Sequence, residues 1–249
     1  MARLRIDLLL VKLGLCESRA KAQARIMAGD VLVADRPVTK AGALVAEEAE
    51  VRLRGEALPF VGRGGLKLDH ALTAFGLDPA GWVCFDAGAS TGGFTDCLLQ
   101  RGAARVYAVD VGTNQLDWKL RSDPRVVSME QVNLRYWDPA RLPEQCRLLV
   151  ADLSFISLRL VIPPLIPSLA PGADAVLLVK PQFEAGKNEV GSGGIVRDPE
   201  THQRVQREIW EFFEGTALQP LALCESPILG GAGNKEFLMH LRLEAPRLD

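Results

Sequence analysis

Short apolar segments recur along the chain from residue 83 onward, and their spacing is the feature that most restricts the fold. Each is rich in β-branched residues and is separated from the next by enough chain for a helix. This alternation predicts an α/β fold with a doubly wound, mostly parallel sheet, because parallel neighbours need a crossover connection. The predicted strands cover residues 83–87, 105–110, 125–129, 148–153 and 175–180.

A helix and a terminal strand are predicted after the fifth segment. Asp198 followed by Pro199 is typical of an N-cap with proline at the first helical position, and apolar residues continue at helical spacing until Gly215. Residues 235–243 predict a last strand, antiparallel and at or near the sheet edge. We therefore expect one Rossmann-like domain over residues 61–249.

Residues 1–60 differ in pattern and are predicted to form a small α+β domain and a linker. Ser18 is expected to cap a helix that ends near Gly29, and a short strand with a turn at residues 35–37 follows it. Residues 41–60 are expected to be the end of the domain and the linker. The apolar stripe of the helix is predicted to be Ala20, Ala24 and Met27.

Basic side chains are concentrated in this first domain, although the whole chain carries a net charge of −2. Residues 1–40 contain eight basic and four acidic side chains. Such an excess at one end indicates an anionic partner, with a solvated charged surface as the alternative. Lys21 and Arg25 lie four residues apart and share a helix face. The residues expected to contact the partner are Arg5, Lys12, Arg19, Lys21, Arg25 and Lys40.

The clearest binding motif is the glycine-rich segment at residues 86–94, DAGASTGGF. It follows the first sheet strand, where ligands bind doubly wound folds. Gly88 allows a tight turn, and Gly92 and Gly93 let the backbone and the helix N-terminus approach a ligand. Asp110 ends the next strand and could accept hydrogen bonds from a ribose. The segment indicates a nucleoside cofactor other than NAD, whose motif is Gly-x-Gly-x-x-Gly, with a structural turn as the alternative.

Four charged residues are predicted on neighbouring elements of the same domain. Asp152 and Lys180 lie near the ends of the fourth and fifth strands, and charges there are costly unless they are paired or used in chemistry. Lys67 begins a helix, off its apolar stripe, and Glu236 begins the last strand after the loop at residues 229–234. For Lys180, a side chain that simply reaches solvent is the alternative.

The joint pattern resembles the TlyA family. Residues 5–40 resemble the S-four RNA-binding domain, and the glycine-rich segment resembles the S-adenosylmethionine loop of class I methyltransferases. Lys67, Asp152, Lys180 and Glu236 match, in order, the tetrad of FtsJ-related ribose methyltransferases. The proline-rich segment of base-amino methyltransferases is absent after Asp152, and the segments VGRGGLKL, ADLSFIS, KPQFEAG and GGIVRDPETH extend the resemblance over nearly the whole chain.

This resemblance implies a Rossmann-like class I methyltransferase domain preceded by an α+β RNA-binding domain. It implies S-adenosylmethionine as cofactor and transfer of its methyl group to a ribose 2′-hydroxyl of cytidine in the ribosomal RNA of either subunit. The tetrad is then catalytic, and the six basic residues contact RNA. The implied cofactor-binding residues are Asp86, Gly88, Ser90, Gly92, Gly93, Phe94, Asp110, Val111, Asn133 and Asp152.

A ribose hydroxyl holds its proton tightly, so its attack on a methyl group needs a base within hydrogen-bond reach. We expect Lys180 to be that base. An ordinary lysine is protonated at neutral pH, so burial and the neighbouring Lys67 have to favour its neutral form. Asp152 and Glu236 are expected to orient the lysines and balance their charge. Alternatively, Lys67 stabilises the developing alkoxide.

Composition and hydropathy argue against other classes of protein. The longest apolar stretch, residues 160–179, contains four prolines and Asp174, which excludes a membrane-spanning helix there. The first residues give too short an apolar run for a signal peptide, and five scattered cysteines predict reduced thiols, no metal site and a cytoplasmic protein. Because members of the family are also called hemolysins, a membrane-active protein stays an alternative, as does a non-catalytic RNA-binding or ribosome-assembly factor.

Overall fold

A computed structural model describes residues 3–53, 59–230 and 233–244 of the chain. It forms two compact units, Met1–Leu58 and Pro59–Asp249, and the division lies close to the boundary expected after residue 60. Part of the predicted linker, residues 54–58, and part of the predicted glycine-rich loop, residues 231–232, lie outside the described residues.

The small unit contains a two-stranded sheet, β1-β4, and a three-stranded sheet, β3-β2-β5. Strands β4 and β5 lie within residues 41–60, so much of the segment expected to be the end of the domain and the linker belongs to its sheets. In chain order the elements are β1 (Arg3–Arg5), α1 (Ile6–Lys12), α2 (Arg19–Met27), β2 (Val31–Val33), β3 (Arg36–Pro37), β4 (Leu44–Ala46) and β5 (Val51–Leu53).

Helix α2 begins at the predicted cap but buries a different face. The Ser18 side chain accepts a hydrogen bond from the backbone N–H of Lys21. Ala22 and Ile26 are buried in the core of the small unit, whereas Met27 is 71% exposed. The predicted stripe of Ala20, Ala24 and Met27 was therefore wrong. Alanines occur on both sides of this helix, so periodicity did not identify the buried side.

The hairpin after α2 turns one residue earlier than predicted. Ala34 and Asp35 both have positive φ, 47° and 63°, and they connect β2 directly to β3. Two left-handed residues make the turn that matches the twist of paired strands. Arg36 and Pro37, assigned to the turn from the sequence, form β3 instead.

Asp7 is the polar centre of the small unit. Its buried carboxylate accepts hydrogen bonds from Arg5 Nε at 3.0 Å, Arg19 Nε at 2.9 Å and Gln23 Nε2 at 2.9 Å. The hydrogen bond from Arg5 is the main cause that holds the pKa of Asp7 well below its usual range. Desolvation opposes this shift, and Gln23 and Arg19 add to it. One carboxylate thus joins the chain before α1 to helix α2.

The larger unit is built on a seven-stranded sheet in the order β8-β7-β6-β9-β10-β12-β11. Among its described strands, β12 alone runs antiparallel to the others, between β10 and β11. The predicted fold class is confirmed, including the antiparallel last strand. The strands are β6 (Val83–Ala87), β7 (Arg105–Val109), β8 (Val126–Met129), β9 (Cys146–Ala151), β10 (Leu169–Val179), β11 (Leu218–Glu225) and β12 (Phe237–Leu243).

Two features of this sheet were not predicted. Edge strand β11 is half-buried and contains Pro220, a residue that weakens a strand pattern but is tolerated at an edge. Strand β10 begins at Leu169, before Pro171, and its register with β9 shifts between Leu169 and Asp174. The shift accommodates a proline that cannot donate to the ladder.

Helices cover both faces of the sheet. Leu68 and Leu98 pack with one face, and Val161 and Phe213 pack with the other. Asp198 caps the last helix by accepting hydrogen bonds from the backbone N–H groups of two residues in its first turn. None of the described helices combines the length and the apolar character needed to cross a membrane. The helices are α3 (Gly64–Ala74), α4 (Gly93–Gln100), α5 (Trp118–Arg121), α6 (Leu158–Leu165), α7 (Pro181–Glu184) and α8 (Pro199–Glu214), with 3-10 turns at Leu134–Tyr136, Pro139–Arg141, Ile166–Ser168 and Lys187–Glu189.

We expect Asp7→Ala to lower the thermal unfolding midpoint of the small unit, because it removes the shared acceptor of two arginines and opens a buried gap. Glu47→Ala removes an exposed ion-pair partner of Lys12 and is the control, with an expected change within about 0.5 kcal/mol. Circular dichroism melts of the full chain provide the measurement.

The pH dependence gives a second test of the same carboxylate. Because the pKa of Asp7 is lowered by folding, its stabilisation is present above the unfolded value of about 3.9 and is lost as the pH falls through the folded value. The difference between wild type and Asp7→Ala should therefore shrink in strong acid. Equal melting of both variants at neutral pH would contradict the assignment.

Candidate active site

A cavity of about 450 Å³ opens where β6, β7 and β9 end. This volume suits a nucleoside-sized ligand. Six of the residues predicted to bind the cofactor lie in its wall: Gly88, Ser90, Asp110, Val111, Asn133 and Asp152. Further wall residues that sequence reasoning missed include Gln115, Arg135, Leu153, Ser154, Phe155 and Ile156.

Asp110 is held in place by backbone donors. The N–H of Ser90 donates to Oδ2 at 2.8 Å and the N–H of Gly112 donates to Oδ1 at 2.7 Å. Each carboxylate oxygen can accept more than one hydrogen bond, so both oxygens can still receive a hydroxyl. A fixed carboxylate in the cavity wall is suited to bind the two hydroxyls of a ribose.

Gly88 allows the glycine-rich segment to lie against the end of β9. Its φ is +83°, and a Cβ atom there would lie 2.7 Å from the backbone oxygen of Asp152. Any other residue would push these two wall segments apart.

Gly92, Gly93 and Phe94 do not line the cavity in this structure. A Cβ on Gly92 would overlap Leu120, and one on Gly93 would lie 2.9 Å from the backbone nitrogen of Gly65. Phe94 is buried in the hydrophobic core that contains Leu68 and Leu98, on one face of the sheet. These residues pack the start of α4 against α3 and α5, so close packing accounts for the glycines here.

Asp86 also lies behind the wall and is fully buried. Burial is the main cause that raises its pKa to about 7, a hydrogen bond from Thr95 opposes the shift, and Asp152 adds to it. The Thr95 hydroxyl donates to Oδ2 at 2.6 Å, while Oδ1 has no hydrogen-bond partner in the structure. Asp86 therefore supports the cavity from within the protein.

The four tetrad residues form two ion pairs, one buried and one with a partly exposed carboxylate. Lys67 Nζ lies 2.5 Å from Glu236 Oε2, and Lys180 Nζ lies 2.6 Å from Asp152 Oδ1. The lysine side chains are 9% and 10% exposed. Moving such charges out of water costs free energy, and the attraction within each pair does not reliably offset that cost. Buried lysines at the end of the sheet are therefore candidates for a chemical role.

Backbone geometry brings the two pairs to the same edge. Val179 of β10 is paired with Phe237 of β12, which places the next residues, Lys180 and Glu236, opposite one another. On α3, a Cβ at Gly64 would lie 3.6 Å from Asp152 Oδ2, so the helix that carries Lys67 begins beside the second pair.

Exposed aromatic side chains lie at the cavity wall and beside it. Phe155 is 90% exposed, although its φ of +65° is unfavourable for an aromatic residue. Its ring centroid is 5.0 Å from that of Phe183, and Lys180 Nζ is 5.8 Å from the Phe183 centroid. Beside Arg135, Tyr136 is 75% exposed. The sequence does not predict this exposure, because an aromatic residue after a strand is ordinarily expected to be buried in the core.

Most predicted RNA-binding cations are already paired with carboxylates. Arg5 and Arg19 contact buried Asp7, whereas Lys40 is exposed. Exposed pairs contribute little stability and can exchange for a phosphate, so they remain usable for binding. The three exposed pairs are Lys12 with Glu47, Lys21 with Glu17, and Arg25 with Asp30.

Comparisons with known proteins match both units to known families. The FtsJ-like methyltransferase family matches residues 60–243, and the S4 domain matches residues 4–51. YqxC of Bacillus subtilis is 48% identical over 95% of this chain and 85% of its own. The 16S/23S rRNA (cytidine-2′-O)-methyltransferase TlyA of Mycobacterium tuberculosis is 43% identical over 98% of this chain and 92% of its own.

A solved structure supports the same assignment. A Streptococcus thermophilus protein, provisionally named a hemolysin, is 46% identical, covers 98% of this chain and 90% of its own, and has a TM-score of 0.77. The resemblance inferred from the sequence is thus confirmed. The chain belongs to the TlyA family of FtsJ-like methyltransferases, with an S4 domain ahead of its methyltransferase domain.

Proposed function

We propose that this methyltransferase transfers the methyl group of S-adenosylmethionine to a ribose 2′-hydroxyl of cytidine in ribosomal RNA. The observation that carries the proposal is the contact of Lys180 with Asp152, because Asp152 is also part of the cavity wall. A candidate base and a candidate cofactor site therefore share one carboxylate. The name of the Mycobacterium tuberculosis relative supports the substrate, and a ribosomal substrate would place the enzyme in the cytoplasm.

The cavity fits the proposed cofactor. Asp110 is fixed to receive the ribose hydroxyls, and Val111, Val132 and Leu134 offer apolar surface for a base. When bound, S-adenosylmethionine supplies a methyl group activated by its sulfonium charge.

Lys180 is the base in this proposal, because it contacts a carboxylate of the cavity wall. In its neutral form, Nζ would accept the proton of the 2′-hydroxyl and so activate the ribose oxygen toward the methyl group that the bound cofactor would supply. Asp152 holds the amine and then balances the ammonium that forms. Lys67, fixed by Glu236, adds a positive charge that can stabilise the developing alkoxide.

The small unit is proposed to hold the RNA. Lys21 and Arg25 lie on the exposed side of α2 and line a groove with Glu17 and Asp30. Exchange of these carboxylates for RNA phosphates keeps each cation paired and releases counterions, which favours binding at low salt.

We expect Asp110→Ala to weaken S-adenosylmethionine binding by about 1.5–3 kcal/mol, the range for hydrogen bonds to a charged group. Asp138→Ala is the matched control, because Asp138 caps a 3-10 turn and is not part of the cavity wall. Isothermal titration calorimetry measures both. An unchanged affinity in Asp110→Ala would place the ribose contact elsewhere.

Lys180→Ala should reduce single-turnover methylation by ~10²–10⁴-fold, the effect of losing a general base, while cofactor affinity stays near that of wild type. Lys180→Arg should be equally inactive, because arginine keeps the charge but cannot become neutral. The control is Lys119→Ala, which removes a mostly exposed lysine. Near-normal turnover by Lys180→Arg would exclude the base role.

Reversal of Lys21 or Arg25 to Glu should weaken binding to a ribosomal RNA fragment and lower the slope of log Kd against log salt by about one. Arg207→Glu on α8 changes net charge equally and is the control. Fluorescence anisotropy at several salt concentrations measures the slopes. Equal slopes for all three variants would remove α2 from the RNA interface.

A further inference from the structure

Lys180 contacts a second acceptor besides Asp152. Its Nζ donates a hydrogen bond to Ser154 Oγ at 2.9 Å, and it lies 2.6 Å from Asp152 Oδ1. Both acceptors belong to the cavity wall, and the lysine side chain is 10% exposed. Ser154 was not among the residues predicted from the sequence.

The hydrogen bond to Ser154 restricts the orientation of the Lys180 amine. Apart from its bond to carbon, a neutral Nζ has two N–H bonds and one lone pair, arranged tetrahedrally. The contact with Asp152 is an ion pair whose Oδ1 receives no hydrogen bond in the structure, so it does not assign an N–H bond. The hydrogen bond to Ser154 fixes the direction of one N–H bond, limits rotation about the bond to Cε and confines the lone pair to the two remaining directions. General base catalysis requires one of these directions to meet the hydroxyl proton.

The position of Ser154 is itself constrained by its neighbour. Phe155 has a φ of +65°, and its ring lies 5.0 Å from that of Phe183, three residues after Lys180. Unfavourable backbone of this kind persists where surrounding contacts maintain it. The segment after β9 and the segment after β10 are thus joined twice, once by the aromatic rings and once by the hydrogen bond.

We infer that Ser154 is a positioning residue for methyl transfer, which restricts the orientation of the Lys180 amine by accepting a hydrogen bond from it. The inference rests on the proposed role of Lys180 as the base. Ser154 acts through Lys180 and touches neither the methyl group nor the proton that is transferred.

Loss of the Ser154 hydroxyl should have two effects. The lysine becomes less well oriented, so the maximum rate falls by up to roughly tenfold, the upper range for a hydrogen bond between uncharged groups, because the reactive amine is neutral. The hydroxyl also favours the ammonium, which is the stronger donor, so its removal shifts the acid limb of the pH–rate profile to lower pH. A slower enzyme that stays active in more acidic solution is not the result of general structural damage.

The test uses the full chain and single-turnover methylation of ribosomal RNA across a pH series. Ser154→Ala should show the slower maximum and the shifted limb with unchanged KM for RNA and unchanged cofactor affinity. Ser154→Thr keeps a hydroxyl and should restore most of the rate. Ser157→Ala is the matched control, because Ser157 lies in the same segment but donates to Glu184, and its acid limb should not move.

A spectroscopic titration measures the same contact without turnover. In protein labelled with ¹³C-lysine, the Lys180 signal is assigned by its absence in Lys180→Arg. Its titration midpoint should move to lower pH in Ser154→Ala, and an unmoved midpoint would overturn the inference.

Other results of these experiments would contradict the role of Ser154, the role of Lys180, or both. Wild-type rates in Ser154→Ala, equal impairment of Ser154→Thr and Ser154→Ala, or a loss of cofactor affinity that matches the loss of rate would each overturn the positioning role. An active Lys180→Arg enzyme would contradict the base itself. An inactive Lys180→Arg enzyme together with a fully active Ser154→Ala enzyme would contradict the inference about Ser154 alone.

Discussion

The antiparallel pairing of β12 with β10 is the constraint on which the candidate catalytic centre depends. A parallel sheet brings together the carboxyl ends of its strands, whereas a residue at the start of a strand is normally found at the opposite edge. Because β12 runs in the reverse direction, its first residues reach the edge at which β9 and β10 end. Glu236 thereby lies opposite Lys180, and through Glu236 the helix residue Lys67 is held at the same edge.

Carboxylates on three adjacent strands have different environments, and these suit them to different tasks. Asp110 is satisfied by backbone N–H groups and faces a cavity. Asp152 is paired with a lysine, and Asp86 is buried with one hydroxyl donor, where burial raises its pKa to about 7. Three acids of the same type thus have three environments: one is a candidate ligand acceptor, one is a counterion and one is buried behind the cavity wall.

Sequence reasoning predicted the sheet for a physical reason, because buried parallel strands must be apolar runs. Charges at the ends of such strands made Asp152 and Lys180 candidates, and the resemblance to ribose methyltransferases assigned them to a tetrad with Lys67 and Glu236. Other features depend on tertiary contacts. Helix α2 has alanines on both sides, strand β11 is interrupted by Pro220, and the exposure of Phe155 follows from a backbone conformation that its residue type disfavours.

Asp152 occupies a shared position, because it lines the cavity and also forms an ion pair with Lys180. Any change at Asp152 alters the cavity wall and the partner of Lys180 together, so a variant at this position affects ligand binding and the proposed chemistry of the lysine at the same time. Lys180 is not part of the described cavity wall, so its variants separate the two effects.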